Sequence, residues 1–419
     1  MNFKELWKDK KKPALTAIDL IKYIGPGLLV TVGFVDPGNW ASNIAAGSMY
    51  GYELLWVVTL STIMLIILQH NAAHLGIVSG KCLSEAATAY MPAFLKNIVL
   101  GTAVLAAIST GLAELLGGAI ALDMLFHIPI RTGAFLMLIL TLYLQFSHSY
   151  KRVEKIIICF VSLIGAAFMI EVGLVPVDWS AASRGWVVPD IPAGAMPIIM
   201  SVLGSVIMPH NLYLHSEVIQ SQQFHLESEA TIEQKLKTEY VDTIFSMAVG
   251  WAINSAIIFI AATAFFANGI VVDDLAQAGG LLEPILGSLS ATLFGVALLF
   301  AGIASSLTSS MAGGCIFAGM LGEPYDASDR HTRLGSLLTM VGAFIIILFI
   351  SSPFDGLIYS QVFLSIQLPL TIFTQLYLTS SPKVMGKYVN KPYTRIMLWS
   401  IGLIVTGLNV MLLCDTLLG

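Results

Sequence analysis

Charge is scarce in this chain. Of 419 residues, 11% are Asp, Glu, Lys or Arg, 56% are hydrophobic, and mean hydropathy is +0.82. A soluble domain carries roughly 25% charged residues, so the shortage excludes a water-soluble globular protein and leaves a polytopic membrane protein. Cysteine is sparse as well. The four present, Cys82, Cys159, Cys315 and Cys414, are far apart with no metal-type spacing, which excludes a disulfide framework and reads as packing residues. Heptad runs, low-complexity segments and glycine-rich phosphate loops are missing. Loops are short except at 177–193 and 222–238, so the chain reads as one integral membrane domain over 1–419. The net charge of −5 names no partner; the expected surroundings are the bilayer, with neither nucleic acid nor an obligatory protein partner indicated.

A transmembrane helix needs ~20 largely apolar residues. Polar punctuation marks eleven such segments, at about 21–50, 53–79, 94–126, 132–148, 153–176, 194–221, 239–268, 284–321, 333–351, 354–380 and 394–418. With the N-terminus inside, alternate loops hold every one of the 21 Lys and Arg residues except Arg131 and Arg184. That one-sidedness predicts a cytoplasmic N-terminus and an external C-terminus in a cell membrane. The first segment follows a basic start, but it is too long for a signal peptide and Asp36 interrupts it before any cleavage site.

The interruption is "GFVDPGNWASN", from Gly33 to Asn43. Asp, Pro, Gly and Asn are all costly inside a membrane helix. The sixth segment carries a matching break, "GSVIMPHNLYLHSE", whose Pro209 lies 172 residues after Pro37. An Asn follows each proline by two positions, Asn39 and Asn211. The two breaks lie five segments apart, an odd offset, so the second unit is inverted relative to the first. Paired interruptions in an inverted repeat point to the binding site of a secondary transporter. The repeats would span about 21–176 and 194–380, with 394–418 as an added helix.

The breaks carry a defined chemistry. Pro37 lacks an N–H, so the carbonyl of Gly33 loses its helical partner, and Pro209 does the same to Ser205. Asp36 adds a carboxylate, Asn39 an amide oxygen and Met208 a thioether. Oxygen donors plus one sulfur make a cation site that favours Mn²⁺, Fe²⁺, Co²⁺ or Cd²⁺ over Mg²⁺ and Ca²⁺, which prefer all-oxygen shells. The alternative within the same fold is transport of Mg²⁺ or of an organic solute with Na⁺; the sulfur argues against both. An intramembrane metalloenzyme would need a nucleophile or base beside a metal, and no such constellation appears. His70 and His74 lack the glutamate of a metalloprotease motif. His215 and Glu217 read as structural groups near the cytoplasmic end of their helix. Asn254 reads equally as a path-lining residue or an interhelical bond, and "SSLTSSMAGG" as a close-packing stripe.

"GPGLLVTVGFVDPGNW", "LGIVSGKCLSEA", "MPHNLYLHS" and "SQVFLSIQLPL" together resemble the signatures of the NRAMP (natural resistance-associated macrophage protein) divalent-metal transporters, in particular the bacterial MntH type. The resemblance covers segments one to ten. It implies an all-α LeuT-like fold of eleven helices in a 5+5 inverted repeat, with proton-coupled import of Mn²⁺ or Fe²⁺ and no resident cofactor. By motif, Asp36, Asn39 and Met208 are implied as metal ligands, joined in some states by the carbonyls of Gly33 and Ser205, with Gln361 adding an amide oxygen on occlusion. His210 and Glu114 are implied as proton carriers. The chain departs from the family pattern at Gly111, at Gln222 and at Ser328–Asp329, positions that resemble parts of the proton path, so altered proton coupling is expected.

Overall fold

A computed structural model describes residues 36–147, 165, 168–170, 172–173, 175–282 and 290–418. Most of the fifth apolar segment and the first half of the first, including Gly33, lie outside the described residues. Among the described residues every regular element is helical. Seven stretches of the described residues are long and apolar enough to cross a membrane, the broken pair of the sixth segment counting as one, and Ile130–Phe146 is a shorter apolar helix.

The order begins with α1 (Pro37–Tyr50), α2 (Leu55–Ser79), α3 (Leu83–Tyr90), α4 (Ala93–Phe126) and α5 (Ile130–Phe146). After the surface helix α6 (Trp179–Val187) come α7 (Met196–Ile207) and α8 (Pro209–Gln220), the two halves of the broken segment. The chain closes with α9 (Glu229–Ala264), α10 (Ser290–Met320), α11 (Arg330–Ile347), α12 (Pro353–Thr379) and α13 (Pro392–Leu418). At ~1.5 Å per residue, α4 is about 50 Å long, well beyond the ~30 Å hydrocarbon layer, so it tilts or extends past it.

Both regions read as long loops contain helix. In 177–193, Asp178 caps α6 by accepting from the Ser180 and Ala181 amides at 3.0 and 3.1 Å. In 222–238, Ser228 accepts from the Thr231 amide at 3.3 Å and starts α9 ten residues before the apolar segment begins. A helix satisfies its own backbone, so it can run out of the apolar layer on charged residues that hydropathy assigns to a loop.

α4 lies along α10, α7 along α12, and α9 packs on both α1 and α2. One hydrophobic core joins these helices around the fully buried Trp40, which meets Phe168 and Phe294. Large apolar side chains such as Phe94, Phe349, Ile396 and Leu403 point outward, as a lipid-facing surface requires. α7 and α12 approach so closely at Gly204 that a β-carbon there would overlap the Gln361 carbonyl. That contact brings the sixth-segment break against the tenth.

Candidate functional site

Two helix ends meet at the centre. α1 starts on an Asp–Pro pair: Asp36 is in extended conformation and its Oδ1 accepts from the Asn39 amide at 2.8 Å, while Pro37 occupies the first helical position, where its missing N–H costs nothing. α7 ends at Met208, a non-glycine residue at φ 37°, ψ 89°. Left-handed backbone costs such a residue roughly 1–2 kcal/mol, so its surroundings must hold it. The Met208 amide donates to the Gly204 carbonyl at 3.0 Å, and the Asn211 amide donates to the Met208 carbonyl at 3.0 Å. The Met208 sulfur accepts from Asn211 Nδ2 at 3.1 Å, and the side chain packs on Ala106 and Leu364.

The carbonyl that Pro209 leaves without a helical partner is bonded across the molecule. Ser205 O accepts from Asn39 Nδ2 at 3.3 Å, which ties the two breaks together. Asn39 Oδ1 in turn accepts from Asn43 Nδ2, which also donates to Asn254 Oδ1 at 3.0 Å. This ladder from α9 to α7 orients the Asn39 amide. Asn254 is therefore an interhelical bonding residue. Asn43 lies one helical turn from Asn39 on the same face, and that spacing is the signal in the sequence that singles it out.

Asp36 is 2% and Gln361 1% exposed, and each carries a buried acceptor, Asp36 Oδ2 and Gln361 Oε1, with no hydrogen-bond partner among the described residues. Gly38 separates them: a β-carbon there would lie 3.2 Å from Asp36 Oδ1 and 2.7 Å from Gln361 Cδ. Gln361 Nε2 donates to Ser360 Oγ at 3.2 Å, leaving its oxygen free. Buried acceptors without a donor cost about 1–3 kcal/mol each, and a cation offered to them recovers that cost. Asp36, Asn39, Ser205 and Gln361 are thus brought together, and Met208 forms the hinge beside Ser205.

Glu114 and Thr110 sit one turn apart on α4. Glu114 Oε2 accepts from Ser305 Oγ of α10, and Thr110 Oγ1 bonds His210 Nδ1 at 3.1 Å. The same face of α4 reaches Pro37 through Gly117, so both titratable groups border the breaks. Ser305 belongs to the run read as a packing stripe; only the fold reveals its carboxylate partner. Farther along α8, His215 Nε2 lies 3.5 Å from Glu239 Oε1, and His70 Nδ1 bonds the same carboxylate at 2.5 Å. Of the positions that depart from the family pattern, Gly111 faces Met340 and Ala343 of α11, and Gln222 lies in the turn after α8, its amide donating to the Ile219 carbonyl at 3.2 Å. Asp329 caps α11, and the His331 amide bonded to it at 2.8 Å holds its carboxyl below the usual range.

The cysteines differ most from their sequence reading. Cys82 and Cys315 are brought together beside Glu217, because the turn after α2 folds against α8 and α10, a proximity that spacing along the chain cannot reveal.

Helices packed in this way around a start at Asp36–Pro37 and a break at Met208 define a multi-pass, all-helical membrane protein. Solved structures show that the fold is LeuT-like: MhsT in complex with L-phenylalanine matches with a TM-score of 0.62 at 14% identity, over 93% of this chain and 98% of that one. The family is more specific. The model of the natural resistance-associated macrophage protein-like family matches residues 27–415, and the chain belongs to that family. It is similar to the divalent metal cation transporter MntH of Caldanaerobacter subterraneus subsp. tengcongensis, at 38% identity over all of both chains. It also resembles a crystal structure of the Eremococcus coleocola manganese transporter, with a TM-score of 0.78 and 27% identity over 98% of this chain and 88% of that one.

Proposed function

We propose that the protein imports divalent transition-metal ions, Mn²⁺ or Fe²⁺ and with them Co²⁺ or Cd²⁺, by alternating access across the cell membrane. The observation that carries this reading is the pair of buried, unpartnered oxygens, Asp36 Oδ2 and Gln361 Oε1, on either side of Gly38 where the two breaks meet. Asp36, Asn39 and the Ser205 carbonyl would supply oxygens and Met208 the sulfur, with the Gly33 carbonyl as a further donor and Gln361 closing the shell. The sulfur gives Mn²⁺, Fe²⁺ and Cd²⁺ an advantage over Ca²⁺ and Mg²⁺. In this reading eleven helices form a 5+5 inverted repeat within one domain, the N-terminus is cytoplasmic, and the repeats rock about the site.

Protons are the co-substrate in this proposal. Glu114 and His210 reach the breaks from α4 and α8 and have hydroxyl partners, Ser305 and Thr110, able to accept or donate. The altered positions Gly111, Gln222 and Asp329 loosen the coupling, so metal flux proceeds with a variable proton count. Mn²⁺ uptake into proteoliposomes, recorded together with internal pH, tests both parts. Asp36→Ala is expected to abolish uptake and Met208→Ala to let Ca²⁺ compete. Full uptake by Asp36→Ala would refute the site, and strict stoichiometric acidification would refute the loose coupling.

A further inference from the structure

We propose that Cys82, Cys315 and Glu217 form a second metal site, selective for a soft divalent ion such as Zn²⁺ or Cd²⁺, that fastens α8 to α10 and to the turn preceding α3. One ligand atom from each of the three residues lies within 4.8 Å of the other two. Their side chains are fully enclosed, with Cys82 at 0% and Cys315 and Glu217 at 1% exposure.

The arrangement already resembles a ligand shell. Cys315 Sγ points at Glu217 Oε2 from 3.7 Å, and Cys82 Sγ lies 3.1 Å from Ser84 Oγ, a hydroxyl that also donates to the Cys315 carbonyl at 3.3 Å. The neighbouring acid, Glu85, is engaged elsewhere through one oxygen: its Oε2 accepts from the Cys82 amide at 3.2 Å and from Gln220 Nε2. Glu217 is steered from behind by the Tyr325 amide, which donates to Oε1 at 3.4 Å, so Oε2 faces the sulfurs. No basic side chain pairs with Glu217 among the described residues, and a buried acid without a cation is costly. Bonds of about 2.3 Å to sulfur and about 2.0 Å to oxygen place tetrahedral ligand atoms roughly 3.3–3.8 Å apart. The three need to close by an ångström or so at most. Binding exchanges two thiol protons, released to solvent, for one divalent ion; no bond to carbon changes and no electron moves.

Two sulfurs and one carboxylate suit Zn²⁺ and Cd²⁺ far better than Mn²⁺. The site is also separate from the helix breaks, because Glu217 lies nine residues beyond Met208, ~13 Å along α8. α8 is half of the broken helix, so occupancy would tether it. Inhibition of uptake by that tether rests on the transport reading above; the binding itself does not.

The test uses full-length protein under a non-thiol reductant, with Cys159→Ser and Cys414→Ser removing the other thiols and Asp36→Ala removing the transport site. Cd²⁺ titration of this protein is expected to give one equivalent of sulfur-to-cadmium charge-transfer absorption. Cys82→Ser with Cys315→Ser should abolish it, and Glu217→Gln should weaken binding about tenfold or more. Cadmium X-ray absorption on the protein with the pair intact provides a readout that needs no folding of the cysteine variants, and it should show two sulfur neighbours. A cadmium shell of oxygen and nitrogen alone, or absorption unchanged in the double serine variant, would overturn the proposal. Zn²⁺ that binds as expected yet leaves Mn²⁺ uptake with Asp36 intact unslowed would refute the tether while sparing the transport reading.

Discussion

Gly38→Ala is the most informative single change at the centre. The new β-carbon would fall 2.7 Å from Gln361 Cδ and closer still to Nε2. Gln361 lies mid-helix in α12, so relief must come from swinging its amide away from Asp36. Overpacking of this kind costs typically 1–3 kcal/mol, and the first-turn position recovers little of it as helix propensity. A net loss of about 1–2 kcal/mol corresponds to roughly 5- to 30-fold in an equilibrium constant, read here as Mn²⁺ affinity by titration calorimetry and as the initial rate of uptake. The double-mutant cycle with Gln361→Ala isolates the cause. With the amide gone the alanine loses its two closest contacts and keeps only the 3.2 Å approach to Asp36 Oδ1, so most of the cost of Gly38→Ala should disappear in that background, giving a coupling of about 1–2 kcal/mol. Strictly additive losses would show that Gly38 and Gln361 do not share a site, and the reasoning would fail.

Other changes separate packing from chemistry. Asn254→Ala removes the acceptor that holds Asn43, and through it Asn39; a thermal-stability loss of about 1–3 kcal/mol with weaker Mn²⁺ binding is expected. Gly204→Ala sets a β-carbon against the Gln361 backbone, 3.0 Å from its carbonyl carbon, whereas one at Gly101 meets nothing within 4 Å. The first should therefore lower the melting temperature sharply, and Gly101→Ala should raise stability by about 0.5–1 kcal/mol. Asp329→Ala removes the α11 cap at a cost of about 0.5–2 kcal/mol. The folded carboxyl titrates below its ordinary value of 3.8, so its contribution is full above that value and fades as pH falls through the lowered one. The gap in melting temperature between wild type and Asp329→Ala should be largest near neutrality and shrink below about pH 4; a constant gap would contradict the capping role.

The breaks were legible in the sequence because proline acts locally. Pro37 and Pro209 remove specific backbone donors, and the carbonyl freed by Pro209 is where Asn39 reaches across. The long apolar spans were legible for the same kind of reason, since hydropathy is a local sum. What required the fold was partnership between distant elements. Glu114 could be singled out, but Ser305 looked like one hydroxyl among many in a small-residue run. Asn254 has two equal readings in the sequence, and only the fold shows its bond to Asn43. Cys82 and Cys315 carry no sign of their proximity in the sequence, because no periodicity joins a turn after α2 to the last turns of α10. The start of α9 is hidden in the sequence because charged residues at a helix end resemble a loop.

The most direct measurement is the position of a bound Mn²⁺ ion, located by its anomalous scattering in crystals of the full chain grown with the metal. A single peak within coordinating distance of the Asp36 carboxylate and the Met208 sulfur, beside the Ser205 carbonyl, is expected. Mn²⁺ bound elsewhere in the protein, with that position empty at saturating metal, would contradict the account.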